Sequence, residues 1–293
     1  MTSPVYRPWL VYVLGTVLLL GEIIFIGYGT GWPATPDSCL AGGGNCYCEW
    51  IDRAAVMAGA TGFRQPVNTW SNLYALFTAA WVACRMMRDR QEGSAINTVR
   101  SNSPIADACV FAVLFLGLGS MWFHASISSA VSWMDGFSMY VFSGYLVFYT
   151  IDRLLVMKGV SDAVRNLVFW VGWPVNAIIF TDLSASHLPS ELFIGILVGV
   201  YVLLEVFIGL IGKGDFFAGW LGWRDVRARV YWLCGLGAFL IATLFRALAG
   251  DGGPLCWPHS WFQPHGLIWH TFSGAMALLI YFYWRRENVP ATS

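Results

Sequence analysis

The chain has 293 residues, 57% hydrophobic and 12% charged, and its seventeen basic and seventeen acidic side chains cancel. Soluble domains carry about 25% charged residues, so this composition, with a mean hydropathy of +0.59, excludes an ordinary water-soluble domain. Zero net charge also argues against a nucleic-acid partner.

Apolar windows fall at roughly 9–28, 67–84, 105–124, 133–151, 167–181, 192–212, 230–249 and 266–284, each near the length a bilayer requires. The pattern predicts an all-α integral membrane protein with eight spans. It divides into an N-terminal transmembrane anchor (1–28), an outer cysteine-containing loop (29–66), a seven-helix bundle (67–286) and a tail (287–293). The first span carries Glu22 and follows Arg7. No A-x-A cleavage site follows it cleanly, so an uncleaved anchor is expected rather than a signal peptide.

Alternating spans place Arg7, Arg85, Arg88, Arg90, Arg100, Arg153, Lys158, Arg165, Lys213, Arg224, Arg227, Arg229, Arg285 and Arg286 on one side. Only Arg53, Arg64 and Arg246 fall on the other. Basic residues collect on the cytoplasmic side, so both termini are expected there. Cys39, Cys46, Cys48 and Cys256 then lie outside, where disulfides persist, and four cysteines permit three pairings. Cys84, Cys109 and Cys234 sit in or near apolar runs and read as packing residues.

In the 29–66 loop, Asp37, Glu49 and Asp52 either bind a hard cation such as calcium or are simply solvated acids. The second span opens Gln65-Pro66-Val67-Asn68-Thr69-Trp70-Ser71-Asn72. Asn68 and Asn72, four apart with Ser71 nearby, share a face and either hydrogen-bond across helices or touch a ligand. The third span ends with Ser120 and His124 on one helical face, and the fourth opens with Asp135. Ionisable groups at membrane depth tend to face a cavity or one another. A His–Asp pair that merely ties two helices together would satisfy that rule as well.

Farther on, Pro174 and Asn176 suggest a kinked fifth span. Glu205 either pairs internally or lines a proton or substrate path. His187 reads as a solvated loop histidine, and His259 as a reserve ligand. His265 and His270 open the last span in Gln-Pro-His-Gly-Leu-Ile-Trp-His. With His124 they make three histidines, a set that suits zinc with a fourth position left open. Alternation of spans brings Ser120, His124, Asp135, His265 and His270 to one membrane face.

Gly117-Leu118-Gly119-Ser120-Met121-Trp122-Phe123-His124, with Asp135 eleven residues beyond His124, resembles the alkaline ceramidase family. That family belongs to a wider superfamily of seven-span membrane hydrolases with adiponectin-receptor-like and GPI-lipid-remodelling members. Asn68-Thr69-Trp70-Ser71-Asn72 is similar to its Asn-Thr-x-Ser-Asn signature, Cys48-Glu49 to its Trp-Cys-Glu, and His265 to His270 to its His-x-x-x-His. The resemblance implies zinc held by His124, His265 and His270, with Ser120 and Asp135 as catalytic residues beside it. It also implies a Cys48–Cys256 disulfide, leaving Cys39–Cys46, and a calcium site in the N-terminal loop. The implied activity is hydrolysis of a ceramide-like membrane lipid.

The chain departs from the family in three ways. The first span is extra. The calcium motif is eroded: Cys46 stands for its leading Asp, Ile51 for its Asn and Gln65 for its distal Glu, so only Glu49 survives. The final histidines are five apart rather than four, which puts them about 140° apart on an ideal α-helix instead of about 40°. A π-bulge, or His265 sitting ahead of the first turn, would restore convergence.

Overall fold

The computed structural model describes residues 7–40, 46–93, 97–186, 190–211 and 226–287. His187, Lys213, Arg224 and the tail beyond Glu287 lie outside the described residues. In chain order the α-helices are α1 (Arg7–Phe25), α2 (Arg53–Met57), α3 (Pro66–Ser71), α4 (Leu73–Gln91), α5 (Pro104–Ser126), α6 (Ser129–Met157), α7 (Asp162–Ser186), α8 (Ser190–Ile211), α9 (Val226–Leu248) and α10 (Thr271–Arg285). A π-helical turn, His265–His270, leads directly into α10. Among the described residues there is no sheet, only an isolated bridge between Pro36 and Ser128. The protein is all-α and multi-pass.

Among the described residues seven helical segments, not eight, are long and apolar enough to cross a membrane: Tyr12–Thr30, Pro104–Ser126, Ser129–Met157, Asp162–Ser184, Ser190–Leu210, Val226–Leu248 and His265–Arg285. The expected second span, 67–84, is where the count changes. It is divided at Asn72 into the short α3 and the longer α4. The last turns of α4 carry Arg85, Arg88, Asp89 and Arg90, which dilute its apolar stretch. The expected kink at Pro174 falls within one continuous helix, α7.

The residues form two compact units. The first comprises Met1–Ala79, Val113–Asp135 and Gly235–Ala277. Here α1 runs on into a π-turn, Ile26–Thr30, that ends where Gly31 takes φ +80, and a Cβ at Gly31 would run into the Gly59 carbonyl. The Trp32 indole donates to the Gly62 carbonyl at 2.9 Å, which ties the start of the loop to its end. Two disulfides, Cys39–Cys46 and Cys48–Cys256, staple the same region. Glu49 caps α3, its two carboxylate oxygens accepting from the Val67 and Asn68 amides at 2.8 Å each. That arrangement meets two of the N–H groups a helix start leaves open. Helices α5 and α6 are joined by Ile127 and Ser128 alone, with Ile127 in the left-handed region at φ +47. The tight turn fixes the spacing between the end of one span and the start of the next.

The second unit comprises Ala80–Ala112, Gly136–Cys234 and Leu278–Ser293. Its buried charges are paired. Arg165 reaches both oxygens of Asp152 at 3.0 Å, and Arg285 grips Asp89 through two hydrogen bonds of 2.6 and 2.5 Å. Arg90 meets Asp107 at 2.6 Å. At its centre Arg153 bonds both Glu205 and Glu287. Glu205 also accepts from Thr150, from the Tyr283 hydroxyl at 2.8 Å and from the Trp284 indole at 3.1 Å. The Asn97 amide donates to the carbonyls of Trp284, Arg285 and Glu287, closing the end of α10. Burial raises the Glu287 carboxyl to about 8, with Arg153 pulling it down and Glu205 pushing it up.

Candidate metal centre

His124 comes from the last turn of α5, and His265 and His270 from the π-turn. An i→i+5 turn is wider than an α-turn, so histidines five apart return to one side where an α-helix would splay them. All three are buried. Each offers one ring nitrogen, and these nitrogens lie within 4.8 Å of one another. The ring centroids are 5.4 Å (His124–His265), 5.7 Å (His124–His270) and 5.2 Å (His265–His270) apart. Gly266 is required within the turn, because a Cβ there would press on Asn68 Oδ1 and Ser71 Oγ.

The tautomers follow from the neighbours. Gln65 Nε2 donates to the Cys46 and Glu49 carbonyls, so its Oε1 is the atom that faces His124 Nδ1, at 2.6 Å. An amide oxygen only accepts, which makes Nδ1 the protonated nitrogen of His124 and leaves Nε2 for a ligand. Ser71 Oγ lies 2.7 Å from His270 Nδ1. The opposite nitrogen, His270 Nε2, is buried with no hydrogen-bond partner. His265 Nδ1 is likewise buried and without a partner. Buried polar atoms are nearly always satisfied, and a metal ion is the ligand that suits converging neutral imidazoles. The donor set therefore fits zinc, with Gln65 and Ser71 as the outer hydrogen-bond partners such ligands usually have.

Ser120 and Asp135 are both buried, and their side chains are hydrogen-bonded to each other. The Arg246 charge acts on Asp135 and on all three histidines. Its guanidinium lies over the rings of Tyr47 (5.3 Å) and Trp269 (4.9 Å). Arg246, Tyr47, Gln65 and Ser71 escaped the sequence reading as site residues. Arg246 registered only as one of three outer charges, and Gln65 only as a replaced calcium ligand.

The remaining sequence candidates fall elsewhere. His259 is not in the cluster; its ring lies 5.5 Å from that of Trp50. Asn72 braces the local frame, donating to the Asn68 carbonyl at 2.8 Å, but the buried Oδ1 atoms of Asn68 and Asn72 have no partner, and Ser71 between them meets a histidine. Glu49 joins no group of three metal-ligating side chains among the described residues. Burial pushes its carboxyl up to about 7, although the Asn68 and Val67 amides pull the other way. Cys46, which stands for the calcium motif's Asp, is spent on a disulfide.

No family model and no curated protein matches this chain. Its own geometry carries a coarser statement: a membrane-spanning helical protein with a buried three-histidine cluster able to hold a metal.

Proposed function

We propose that the protein is a membrane-embedded, zinc-dependent lipid amidase that hydrolyses ceramide-like N-acyl sphingoid lipids to a sphingoid base and a fatty acid. The observation that carries this reading is the three-histidine cluster, two of whose buried ring nitrogens have no protein partner. Its motif-level support is the resemblance of the Ser120–Asp135 stretch and the final histidines to alkaline ceramidases. Zinc bound there supplies a Lewis acid that polarises a carbonyl and makes a water acidic near neutral pH.

The chain's own residues supply the rest. Asp135 takes the proton of the attacking water and returns it to the departing amine. Ser120, which shares a hydrogen bond with Asp135, turns its hydroxyl to the oxyanion growing on the carbonyl. Apolar spans accept the alkyl chains, so the scissile bond need not leave the bilayer. The two disulfides support a site on the non-cytoplasmic side, where such bonds persist, with both termini in the cytoplasm.

The test is metal analysis of purified protein, followed by lipid hydrolysis with and without a chelator. Stoichiometric zinc and chelator-sensitive release of fatty acid from ceramide are expected. Release from diacyl ester lipids alone would move the reading to an ester hydrolase. A zinc-loaded protein that cleaves neither bond would overturn it in favour of a receptor or transporter with structural zinc.

A further inference from the structure

Two of the three histidines are aimed by hydrogen bonds, His124 by Gln65 and His270 by Ser71. His265 makes no such bond among the described residues, and its Nδ1 is buried without a partner. The ring packed most closely against it in a stacked arrangement is Tyr47, at 4.4 Å and 27°, with Trp269 stacked farther off at 6.5 Å. The same Tyr47 ring meets His124 edge-on at 5.3 Å, and the Arg246 guanidinium lies over it.

The backbone that presents Tyr47 is unusual. Cys46, Tyr47 and Cys48 take φ of 42°, 59° and 74°, three successive non-glycine residues in the left-handed region. L side chains disfavour that region, and runs in it are rare. Such a conformation persists only where its surroundings over-determine it, and here they do. Both neighbours of Tyr47 are half-cystines, Cys46 bonded to Cys39 and Cys48 to Cys256. Gln65 adds hydrogen bonds to the Cys46 and Glu49 carbonyls on either side of the turn.

We propose that Tyr47 is the positioning residue of His265, its ring replacing the hydrogen bond the other two histidines have, and that the paired disulfides exist to hold it there. The inference rests on the reading of the three histidines as a metal site. Outer-shell partners of metal-ligating histidines typically contribute about 10- to 100-fold in metal affinity, and Tyr47 belongs at the lower end because stacking is less directional than a hydrogen bond.

Full-length wild type, Tyr47→Phe, Tyr47→Leu and the double variant Cys39→Ser/Cys46→Ser test this. The readouts are zinc affinity by chelator competition and the visible spectrum of the cobalt-substituted protein. Tyr47→Phe keeps the ring and should match wild type in both. Tyr47→Leu should bind zinc about tenfold more weakly with an altered cobalt spectrum, and Tyr47→Met supplies the same comparison if the leucine variant does not fold. The double cysteine variant keeps the ring but cuts its strap, and should shift in the same direction as Tyr47→Leu. Wild-type affinity and spectrum in Tyr47→Leu, or a Tyr47→Phe as weak as Tyr47→Leu, would overturn the positioning role while leaving the metal centre standing. Unchanged binding in the double cysteine variant would overturn the strap. A wild type that takes up neither zinc nor cobalt would instead overturn the metal centre itself.

Discussion

Two of the polar clusters buried in this apolar chain, around Arg153 and around the three histidines, are finished differently. Around Arg153, Glu205 accepts from an arginine, a threonine, a tyrosine and a tryptophan, and Glu287 takes the other side of the guanidinium. Around His124, His265 and His270, one nitrogen each of His124 and His270 is tied down, while a buried nitrogen of His265 and one of His270 have no partner. Both clusters cost desolvation. The first recovers much of it from opposite charges that meet, although Arg153 Nε stays without a partner; the second gathers like, neutral rings that only a bound group such as a metal would repay. Opposite charges that meet mark a structural joint; like rings that converge with unpartnered nitrogens mark a candidate metal site.

The contrast is best broken at its ends. The largest effect is expected at Asp135: on the proposed reading Asp135→Asn keeps zinc and fold but lowers turnover about 10²–10⁴-fold. Wild-type turnover in that variant would remove Asp135 as the base. Next comes Arg153→Met, which leaves Glu205 buried without its counter-charge and should cost about 3–5 kcal/mol of stability. Thermal unfolding in detergent measures it, and an unchanged midpoint would mean that the joint is not structural. Ser120→Ala should retain zinc and lose roughly 10²–10³-fold in turnover if the hydroxyl serves the oxyanion. In metal-free protein, His270→Ala should lie well below Arg153→Met in cost, because its inward nitrogen has no partner to lose, yet it should abolish stoichiometric zinc. Equal destabilisation by the two would erase the distinction between site and joint.

The smallest effect is a pH slope. The folded Glu287 carboxyl holds its proton up to about 8 against an ordinary 4.5. Between those values the unfolded chain releases that proton first, so this group's contribution is full below the lower value and is lost as pH rises through the upper one. As pH rises through that interval wild type should lose more stability than Glu287→Gln. Parallel unfolding curves for the two would place the ionisation elsewhere.

The three-histidine cluster was legible because its residues fall at helical spacing or one step from it. Ser120 and His124 stand four apart, and the awkward five-residue step from His265 to His270 itself called for the π-turn that forms. The break at Asn72 was not legible. Buried Asn68, Thr69 and Asn72 sit inside an otherwise apolar window, and averaging over the window hides the place where α3 stops and α4 starts. Arg246 counted as an outer charge because sign and side are all that topology reads; its packing over Tyr47 and Trp269 is a tertiary fact. Arg153 was likewise assigned to the cytoplasmic tally, whereas it is the partner Glu205 was expected to need.

The Cys48–Cys256 bond spans 208 residues, the Cys39–Cys46 bond only seven. Chains emerge from the N-terminus at about 5–20 residues per second, so the short bond can close while most of the protein is still unmade. Cys48 must wait for Cys256, and over that interval it has Cys39 and Cys46 as wrong partners within reach. Early closure of the short bond removes both competitors. His124 waits as well, for His265 and His270 are made later still, in the π-turn beyond Cys256. The cluster therefore comes together only once the chain has passed His270, and a nascent chain truncated before Cys256 carries neither the long crosslink nor all three histidines.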